Sequence, residues 1–223
     1  MVKLPNLEFE QAVLLETIAA QASETASFLG ADAFDPSVMA AMEAVPREAF
    51  VPDALKSRAY ENRPLPIGMD QTISQPYIVA AMTHLLKLSA AARALEIGTG
   101  CGYQSAVLAE IAAEVISVEF IAELADAART RLARLGYDNV AVHQGDGRQG
   151  WPDGAPYDGI IVTAAPDRLP KFLVAQLRAG ARLVIPIGEH RRGQKLMVFE
   201  KTADGTLIES CGLPVAFVPL VGG

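Results

Sequence analysis

Apolar residues in the N-terminal part of the chain recur at steps of three and four, the spacing of one helix face. The positions are Ala12, Leu15, Ala19, Ala22 and Ala26. They predict an amphipathic helix that ends at Gly30. A second helix is predicted in DPSVMAAMEAV, with Asp35 as its N-cap and Pro36 as its first residue. Residues 46–68 then mix four prolines with short helical pieces, so the first seventy or so residues are predicted to form a helical layer without a sheet.

The pattern changes after residue 90, where short strand-like runs alternate with helical stretches. The strand-like runs are RALEIG, EVISVEF, NVAVHQGD, YDGIIVTAA and ARLVIPIG, and the helical ones are QSAVLAEIA, IAELADAARTRLARLG and LPKFLVAQLRA. Repeated strand–helix units predict an α/β fold, a Rossmann-like, doubly wound and mostly parallel sheet. The tail carries strand-like runs around the turn signal ADG, which predicts an antiparallel hairpin at the sheet edge.

Length and composition favour one domain. A chain of 223 residues that is 51% apolar can bury a full core as a single unit. We expect residues 1–75 to form an N-terminal cap that includes the start of a substrate segment, and residues 76–223 to form the cofactor-binding core. Cys101 and Cys211 form no CxxC pair, so neither a disulfide framework nor a zinc site is predicted.

The formal charge of −7 argues against a nucleic-acid or anionic-membrane surface, because phosphate binding depends on clustered Lys and Arg. The dense basic run HRRGQK, residues 190–195, is interpreted as a solvated hairpin. Acidic residues interrupt the N-terminal stretch where a signal peptide needs apolar ones, and no apolar run approaches the ~20 residues of a membrane span. We therefore expect a soluble, cytoplasmic protein, and a monomer by default.

The first candidate for chemistry is the glycine-rich segment LEIGTGCGYQ, residues 95–104, which ends a predicted strand and opens a helix. Backbone N–H groups converge on an anionic ligand at such a place, although a tight strand-to-helix connection is the simpler alternative. Gly98, Gly100 and Gly102 form G-x-G-x-G, whereas the dinucleotide fingerprint has its third glycine one place later. The spacing therefore disfavours an NAD-dependent dehydrogenase.

Acidic residues near three strand ends narrow the ligand further. Glu119 follows Gly98 by about 20 positions, as expected of a carboxylate that binds a ribose diol. Asp146, in GDG, belongs to the same carboxyl edge of the sheet, with a plain Asx turn as the alternative. Glu96 would oppose a pyrophosphate but favour an ammonium group. A ligand with an amino-acid end, a ribose and an adenine fits these features, which indicates S-adenosylmethionine.

The segment DQTISQP, residues 70–76, precedes the apolar run YIVAAMTHLLKL. On local grounds Ser74 is interpreted as a helix cap, supported by Pro76 in the first turn.

Taken together, these motifs resemble the protein-L-isoaspartate (D-aspartate) O-methyltransferase family over nearly the whole chain. The matching segments, in family order, are VPREAFVP, AYENRPLPIG, QTISQPYIVAAM, LEIGTGCGYQSAVLA, VISVEFIAELADAA, GDGRQGW, APYDGIIVTAA and PVAFVPL. The resemblance implies a class I methyltransferase fold and methyl transfer from S-adenosylmethionine to the α-carboxylate of L-isoaspartyl residues in damaged proteins. The resulting ester then closes to a succinimide, whose hydrolysis returns some normal aspartate.

The resemblance also implies roles for particular residues. Ser74 matches the functional serine of the family, and the segment Thr72, Ile73 and Ser74 is similar to the strand that receives the peptide. The cofactor site expected on this basis comprises Glu96, Gly98, Thr99, Gly100, Gly102, Gln75, Tyr77, Glu119, Asp146 and Gly147, with no metal. Core packing is the alternative for Tyr77, and burial beneath its loop is the alternative to closure over the substrate for Trp151.

Two positions depart from the family pattern, namely Asp70, where glycine is common, and Ala216, where bacterial relatives often carry arginine. An added carboxylate and a missing cation would each weaken the binding of an anionic substrate. His84, His143 and His190 show no triad or metal spacing and are interpreted as structural or surface residues. Two alternatives stay open: methylation of a different small-molecule carboxylate, and a non-catalytic binding module on the same fold.

Overall fold

A computed structural model describes residues 6–189 and 193–222. Half of the predicted basic hairpin, residues 190–192 with His190, lies outside these residues. The helices are α1 (Leu7–Glu24), α2 (Ala26–Leu29), α3 (Pro36–Ala44), α4 (Pro76–Leu86), α5 (Tyr103–Ala109), α6 (Ala122–Leu135) and α7 (Lys171–Gln176). The strands are β1 (Leu65–Gly68), β2 (Gln71–Ile73), β3 (Arg93–Ile97), β4 (Glu114–Glu119), β5 (Val140–Gln144), β6 (Tyr157–Val162), β7 (Leu177–Ile187), β8 (Gln194–Lys201) and β9 (Leu207–Val215).

The main sheet has the order β5-β4-β3-β6-β7-β8-β9. The pairs from β5 to β7 are parallel, whereas β8 and β9 are antiparallel edge strands. The predicted doubly wound sheet and its C-terminal hairpin are thereby confirmed. Since β4 and β6 flank β3 on opposite sides, the strand order reverses at β3, and a crevice opens at the carboxyl end of that strand.

The helix predicted near the N-terminus forms, but with a different buried face. Leu14, Ile18 and Ala22 are buried, whereas Ala12 and Ala19 are exposed. Alanines satisfy helical spacing on several faces, and the larger Leu14 and Ile18, four residues apart, gain more from burial. The helix also breaks once, at residue 25, before α2 ends at the predicted glycine in a left-handed conformation.

A small antiparallel sheet precedes α4, so the prediction of a helical layer without a sheet is wrong. β1 pairs with β2 through Leu65 opposite Ile73, and the two-residue turn between them is Met69–Asp70. Strands of four and three residues are too short to show an alternating pattern, which explains why they were not predicted. The hairpin places residues 71–74 above the crevice at β3.

Two helix ends also differ from expectation. Asp35 holds the N-cap position of α3 but makes no capping bond, and its carboxylate lies 3.1 Å from Nδ1 of His84. The helix predicted through residue 179 ends at Gln176, and β7 begins at Leu177. Within the described ranges, none of the helices combines the length and the apolar character needed to cross a membrane.

The larger buried cluster joins the N-terminal helices to the sheet, since it includes Ile18 of α1, Leu86 of α4 and Val198 of β8. A second cluster packs the opposite face of the sheet against α7 through Leu173. The N-terminal layer therefore shares its core with the sheet. The boundary at residue 75 stays a prediction.

Candidate active site

A cleft that encloses about 750 Å³ of space, open solvent included, lies where β3, β4 and β6 end. Seven pieces of chain line it: β2 and the residue after it, one residue of α4, the glycine loop, the end of β4 and the residues after it, the start of a turn after β5, the residues after β6, and a C-terminal segment. The predicted site residues that it brings together are Thr72, Ile73, Ser74, Gly98, Thr99, Gly100, Glu119 and Gly147.

The glycine loop adopts a backbone that side chains would disturb. Gly98, Gly100 and Gly102 all have left-handed φ values, of 94°, 54° and 89°. A Cβ at Gly98 would lie 2.5 Å from Oγ1 of Thr163, and one at Gly102 would lie 3.2 Å from Leu132. The loop can therefore pass close to the end of β6, and Gly102 serves as the N-cap of α5.

Glu119 is fixed at the rim of this cleft. The backbone N–H of Gly100 donates to its Oε2 at 2.8 Å, and that of Ile121 donates to its Oε1 at 3.0 Å. Glu119 as a whole residue is 6% exposed, yet it lines the cleft. Because each carboxylate oxygen has two acceptor sites, both oxygens can still accept a bond from a ligand hydroxyl.

Glu96, predicted to belong to the cofactor site and to favour an ammonium group, lies fully buried beneath the glycine loop and does not line the cleft. Its Oε2 accepts bonds from Ser105 and, at 2.6 Å, from Ser117, whose hydroxyl lies 2.6 Å from that of Thr99. Its Oε1 has no partner among the described residues. Burial raises the pKa of Glu96 to about 8, against the effect of the two serines. Glu96 thus reaches the cleft only through Ser117 and Thr99.

The Asx-turn alternative for Asp146 is realised in the structure. Asp146 is the N-cap of a short 3-10 helix, and its Oδ1 accepts from the backbone of Arg148 at 3.0 Å. Hydrogen bonds from Arg148 hold the pKa of Asp146 below its usual value. Gly147 lines the cleft, and a Cβ there would lie 2.3 Å from Ile97. Contact between Asp146 and an adenine stays a prediction.

A second cleft, of about 960 Å³, adjoins the first. The residues shared by the two linings are Thr72, Ser74, Thr163 and Val218. Gln75, predicted to bind cofactor, lines this second cleft, as does Ala216. The two clefts therefore meet beside Ser74.

Tyr77 points into the core, which corrects its assignment to the cofactor site. Its hydroxyl lies 2.5 Å from that of Thr25, its ring packs at a tilt on Phe34, and only 4% of the residue is exposed. Trp151 is half-buried, lies outside both linings and stacks on His143 with 4.0 Å between ring centroids. Its closure over the substrate stays a prediction.

The capping interpretation of Ser74 is not supported by the geometry of α4. The helix begins at Pro76 with Gln75 in the N-cap position, and the side chain of Gln75 makes no capping bond. The backbone N–H of Tyr77 in the first turn donates to Oδ1 of Asn62 at 3.1 Å. The carbonyl oxygen of Ser74 instead accepts a bond of 2.8 Å from Nη2 of Arg47.

Other residues near the clefts were missed by sequence reasoning. Thr163, which directly follows β6, lines both clefts and donates to the carbonyl of Gly98 at 2.6 Å. Its place at a strand end on the carboxyl edge was a usable signal. Residues 218–221 also line the first cleft, but no local pattern pointed to them. Across residues 6–189 and 193–222 there is no cluster of three potential metal ligands.

Comparison with known proteins places this geometry in a family. The family model for protein-L-isoaspartate(D-aspartate) O-methyltransferase (PCMT) matches residues 31–223. Protein-L-isoaspartate O-methyltransferase 2 of Syntrophobacter fumaroxidans is 52% identical, over 96% of this chain and 86% of that protein. The enzyme of the same name from Polaromonas sp. is 53% identical, over 94% of this chain and 99% of that protein.

Solved structures agree. One protein-L-isoaspartate O-methyltransferase superposes with a TM-score of 0.83 at 30% identity, covering 96% of this chain and 66% of that one. A Plasmodium falciparum protein in complex with S-adenosyl-L-homocysteine has the same fold, with a TM-score of 0.76 at 24% identity over 94% of this chain and 97% of that one. From its sequence and its architecture alike, this chain belongs to the protein-L-isoaspartate(D-aspartate) O-methyltransferase family.

Proposed function

We propose that this protein moves a methyl group from S-adenosylmethionine to the α-carboxylate of L-isoaspartyl residues in damaged proteins. The observation that carries the proposal is the junction of two clefts at Ser74, one lined by the glycine loop and Glu119, the other open and lined by the 214–218 segment. A donor and a peptide acceptor can meet there. The names of the relatives support the same reaction.

The first cleft fits S-adenosylmethionine. Glu119 would accept bonds from the ribose hydroxyls, and the backbone of the glycine loop would approach the methionyl end closely. Thr99 and Gly147 would complete the walls. When bound, this cofactor supplies a methyl group that is already electrophilic.

The protein itself has to position the acceptor and exclude water. An isoaspartyl carboxylate is ionised near neutral pH, so no general base is needed. One carboxylate oxygen forms the new bond to carbon while the carbon–sulfur bond breaks, and no proton moves. Held about 3–3.5 Å apart and in line, the two groups react with much of the entropy loss already met by binding. Ser74 would donate to one carboxylate oxygen and aim the other at the methyl group.

The second cleft suits a peptide bound through its backbone and apolar side chains. Its lining residues are Pro64, Thr72, Ser74, Gln75, Ile78, Thr163, Pro214, Val215, Ala216, Phe217 and Val218, none of them charged. Ala216 stands in this lining, so the missing arginine leaves the described cleft without a cation there. We infer modest selectivity for the charge of the residues flanking the isoaspartate.

An acceptor assay tests the proposal. Isoaspartyl peptides, aspartyl peptides and small-molecule carboxylates are compared as acceptors of the radiolabelled methyl group. In the control peptides, a carboxamide replaces the acceptor carboxylate. The expected result is labelling of the isoaspartyl peptide in strong preference to the others. Preference for a small-molecule carboxylate would establish the first alternative, and cofactor binding without any transfer would establish a binding module.

We further propose that the protein works as a monomer in the cytoplasm, without nucleic-acid or membrane partners. The acidic balance of the chain supports the absence of nucleic-acid and anionic-membrane partners. Light scattering coupled to gel filtration at micromolar concentration tests the monomer, with a mass near 23.7 kDa expected.

A further inference from the structure

Arg47 is a buried cation without an ion pair. None of its surface is exposed, and its carboxylate neighbour in sequence, Glu48, accepts a bond from Tyr60 instead. No acidic group pairs with Arg47 among the described residues. An unpaired buried charge is destabilising, and an apolar side chain of similar size in such a place is often neutral or stabilising. Stability alone therefore gives a poor account of this arginine.

The guanidinium joins three separate pieces of chain. Nε donates to the carbonyl of Ala59 at 2.8 Å and Nη2 donates to the carbonyl of Ser74 at 2.8 Å, so the planar fork fixes the distance between them. Nη1 has no partner within residues 6–189 and 193–222. The bond from Arg47 holds the backbone at Ser74 directly, whereas the nearest side-chain bond to α4 reaches Tyr77, whose N–H donates to Asn62 at 3.1 Å.

The charge also lies directly behind the cleft wall. The guanidinium carbon is 4.8 Å from the ring centroid of Tyr103, and Tyr103 lines the first cleft together with Cys101 and Ser74. Burial lowers the pKa of Arg47, while the nearby Tyr103 and Cys101 oppose that shift. In a low-dielectric wall, a positive charge attracts an anion in the adjoining cleft more strongly than it would in water.

We propose that Arg47 is a positioning residue of the methyl-transfer site, fixing Ser74 through its carbonyl oxygen and supplying the buried positive charge that draws in the acceptor carboxylate. This inference rests on the proposed function. Arg47 lines neither cleft and so acts through its neighbours. Because methyl transfer removes the acceptor's charge, the cation assists acceptor binding rather than the chemical step, whereas the fork assists the chemical step by aiming Ser74.

Two variants separate the effect of the buried charge from the effect of the planar fork. Arg47→Lys retains the charge but lacks the fork, so the KM for an isoaspartyl peptide should stay within about threefold while kcat falls about tenfold. Arg47→Met loses both, so KM should also rise about tenfold. The affinity for S-adenosylmethionine should change little in either. The matched control is Arg182→Met, which removes an arginine that donates to the carbonyl of Leu85 at the other end of α4.

A double-mutant cycle tests the route through Ser74. Combined with Ser74→Ala, Arg47→Lys should add little further loss of kcat, since the group that it aims is already gone. Additive losses of kcat would overturn that route. A folded Arg47→Met variant with wild-type kcat and KM, assayed well below its melting temperature, would overturn the proposal whatever its stability. If Arg47→Met does not fold, the kcat of Arg47→Lys is the test, and a wild-type kcat in that variant would overturn the proposal.

Amide hydrogen exchange separates this proposal from the proposed function. Wild-type protein without turnover on the isoaspartyl peptide would overturn the proposed function alone. Exchange over residues 71–79 still reports the bond to Ser74, and it should accelerate in both Arg47 variants but not in Arg182→Met. Unchanged exchange in that segment would overturn the positioning role independently of any assay of turnover.

Discussion

Glu119 illustrates how one carboxylate can organise a site from two sides. It receives the amides of Gly100 and Ile121 and still has acceptor sites towards the cleft. Glu119→Gln should weaken S-adenosylmethionine binding by about 1–1.5 kcal/mol for each ribose bond, because charge-assisted bonds become neutral ones. Titration calorimetry measures the change. Glu123→Gln, on the exposed first turn of α6, is the control, and equal affinities in the two variants would remove Glu119 from the ribose role.

Ser74 offers a second test at this scale, by comparing Ser74→Ala with Ser74→Gly. Because the side chain of Ser74 does not cap α4, the Ala variant should lose less stability than the roughly 1 kcal/mol typical of a lost cap. If the hydroxyl aims the acceptor, both variants should lose kcat/KM on an isoaspartyl peptide to a similar degree while binding cofactor normally. Thermal melts accompany the assays. Near-normal turnover in both folded variants would leave Ser74 with no catalytic role.

Single residues are also where the sequence was least informative. Arg47 and Glu96 are both fully buried, although charged residues are normally found at the surface. Their partners are backbone carbonyls and hydroxyls far along the chain, and no local spacing reports them. Glu119 was predictable because its role follows from its position at a strand end.

Among the elements, the long strands were predictable and the short hairpin was not. Strands β3, β4 and β6 are buried on both faces and appear in the sequence as apolar runs between helical stretches. Only its two-residue turn could have indicated the β1–β2 hairpin. Because Met-Asp is an unusual sequence for such a turn, the hairpin was not predicted. The end of α7 was predicted three residues too late because residues 176–179, QLRA, are compatible with a helix. Pairing with β6 makes residues 177–179 part of a strand instead.

That turn carries backbone strain that one substitution should relieve. Met69 and Asp70 both have left-handed φ values, of 52° and 56°, which L-residues adopt at a cost. Asp70→Gly should therefore raise the free energy of unfolding by about 0.5–1 kcal/mol. Chemical denaturation measures it. Gly136→Ala is the matched test of opposite sign, since Gly136 has a φ of 84° with open space around it, and a loss of stability in Asp70→Gly would contradict the argument.

At the scale of the whole molecule, the site is assembled where distant segments return to one sheet edge. The parallel sheet brings the ends of β3, β4 and β6 together, and sequence periodicity was enough to predict that. The C-terminal wall depends on a longer path. After the β8–β9 hairpin, the amide of Ala165 donates to the carbonyl of Val218, and that of Leu220 donates back to Ala165. These backbone bonds leave no sequence signature.

The stability of the whole molecule should depend on pH through Glu96. Because burial raises the folded-state pKa of Glu96 to about 8, the folded protein retains this proton after the unfolded chain, with its ordinary carboxyl pKa, has released it. The stabilisation is complete below the unfolded pKa and is lost as the pH rises through about 8. Chemical denaturation at several pH values should therefore show that the contribution of Glu96 to the free energy of unfolding falls between about pH 4.5 and pH 8.

Glu96→Gln isolates this contribution, because a glutamine imitates the protonated acid. Its amide oxygen can accept the bonds from Ser105 and Ser117, and its NH₂ group would take the place of the unpartnered Oε1. The buried NH₂ lowers stability equally at every pH. The test therefore compares how the free energy of unfolding changes with pH, not its absolute value. The free energy of unfolding of the variant minus that of wild type should therefore be larger at pH 8.5 than at pH 5. Parallel pH profiles for the two proteins would show that Glu96 is ionised in the folded state, and that the hydroxyls of Ser117 and Ser105 stabilise a carboxylate beneath the glycine loop.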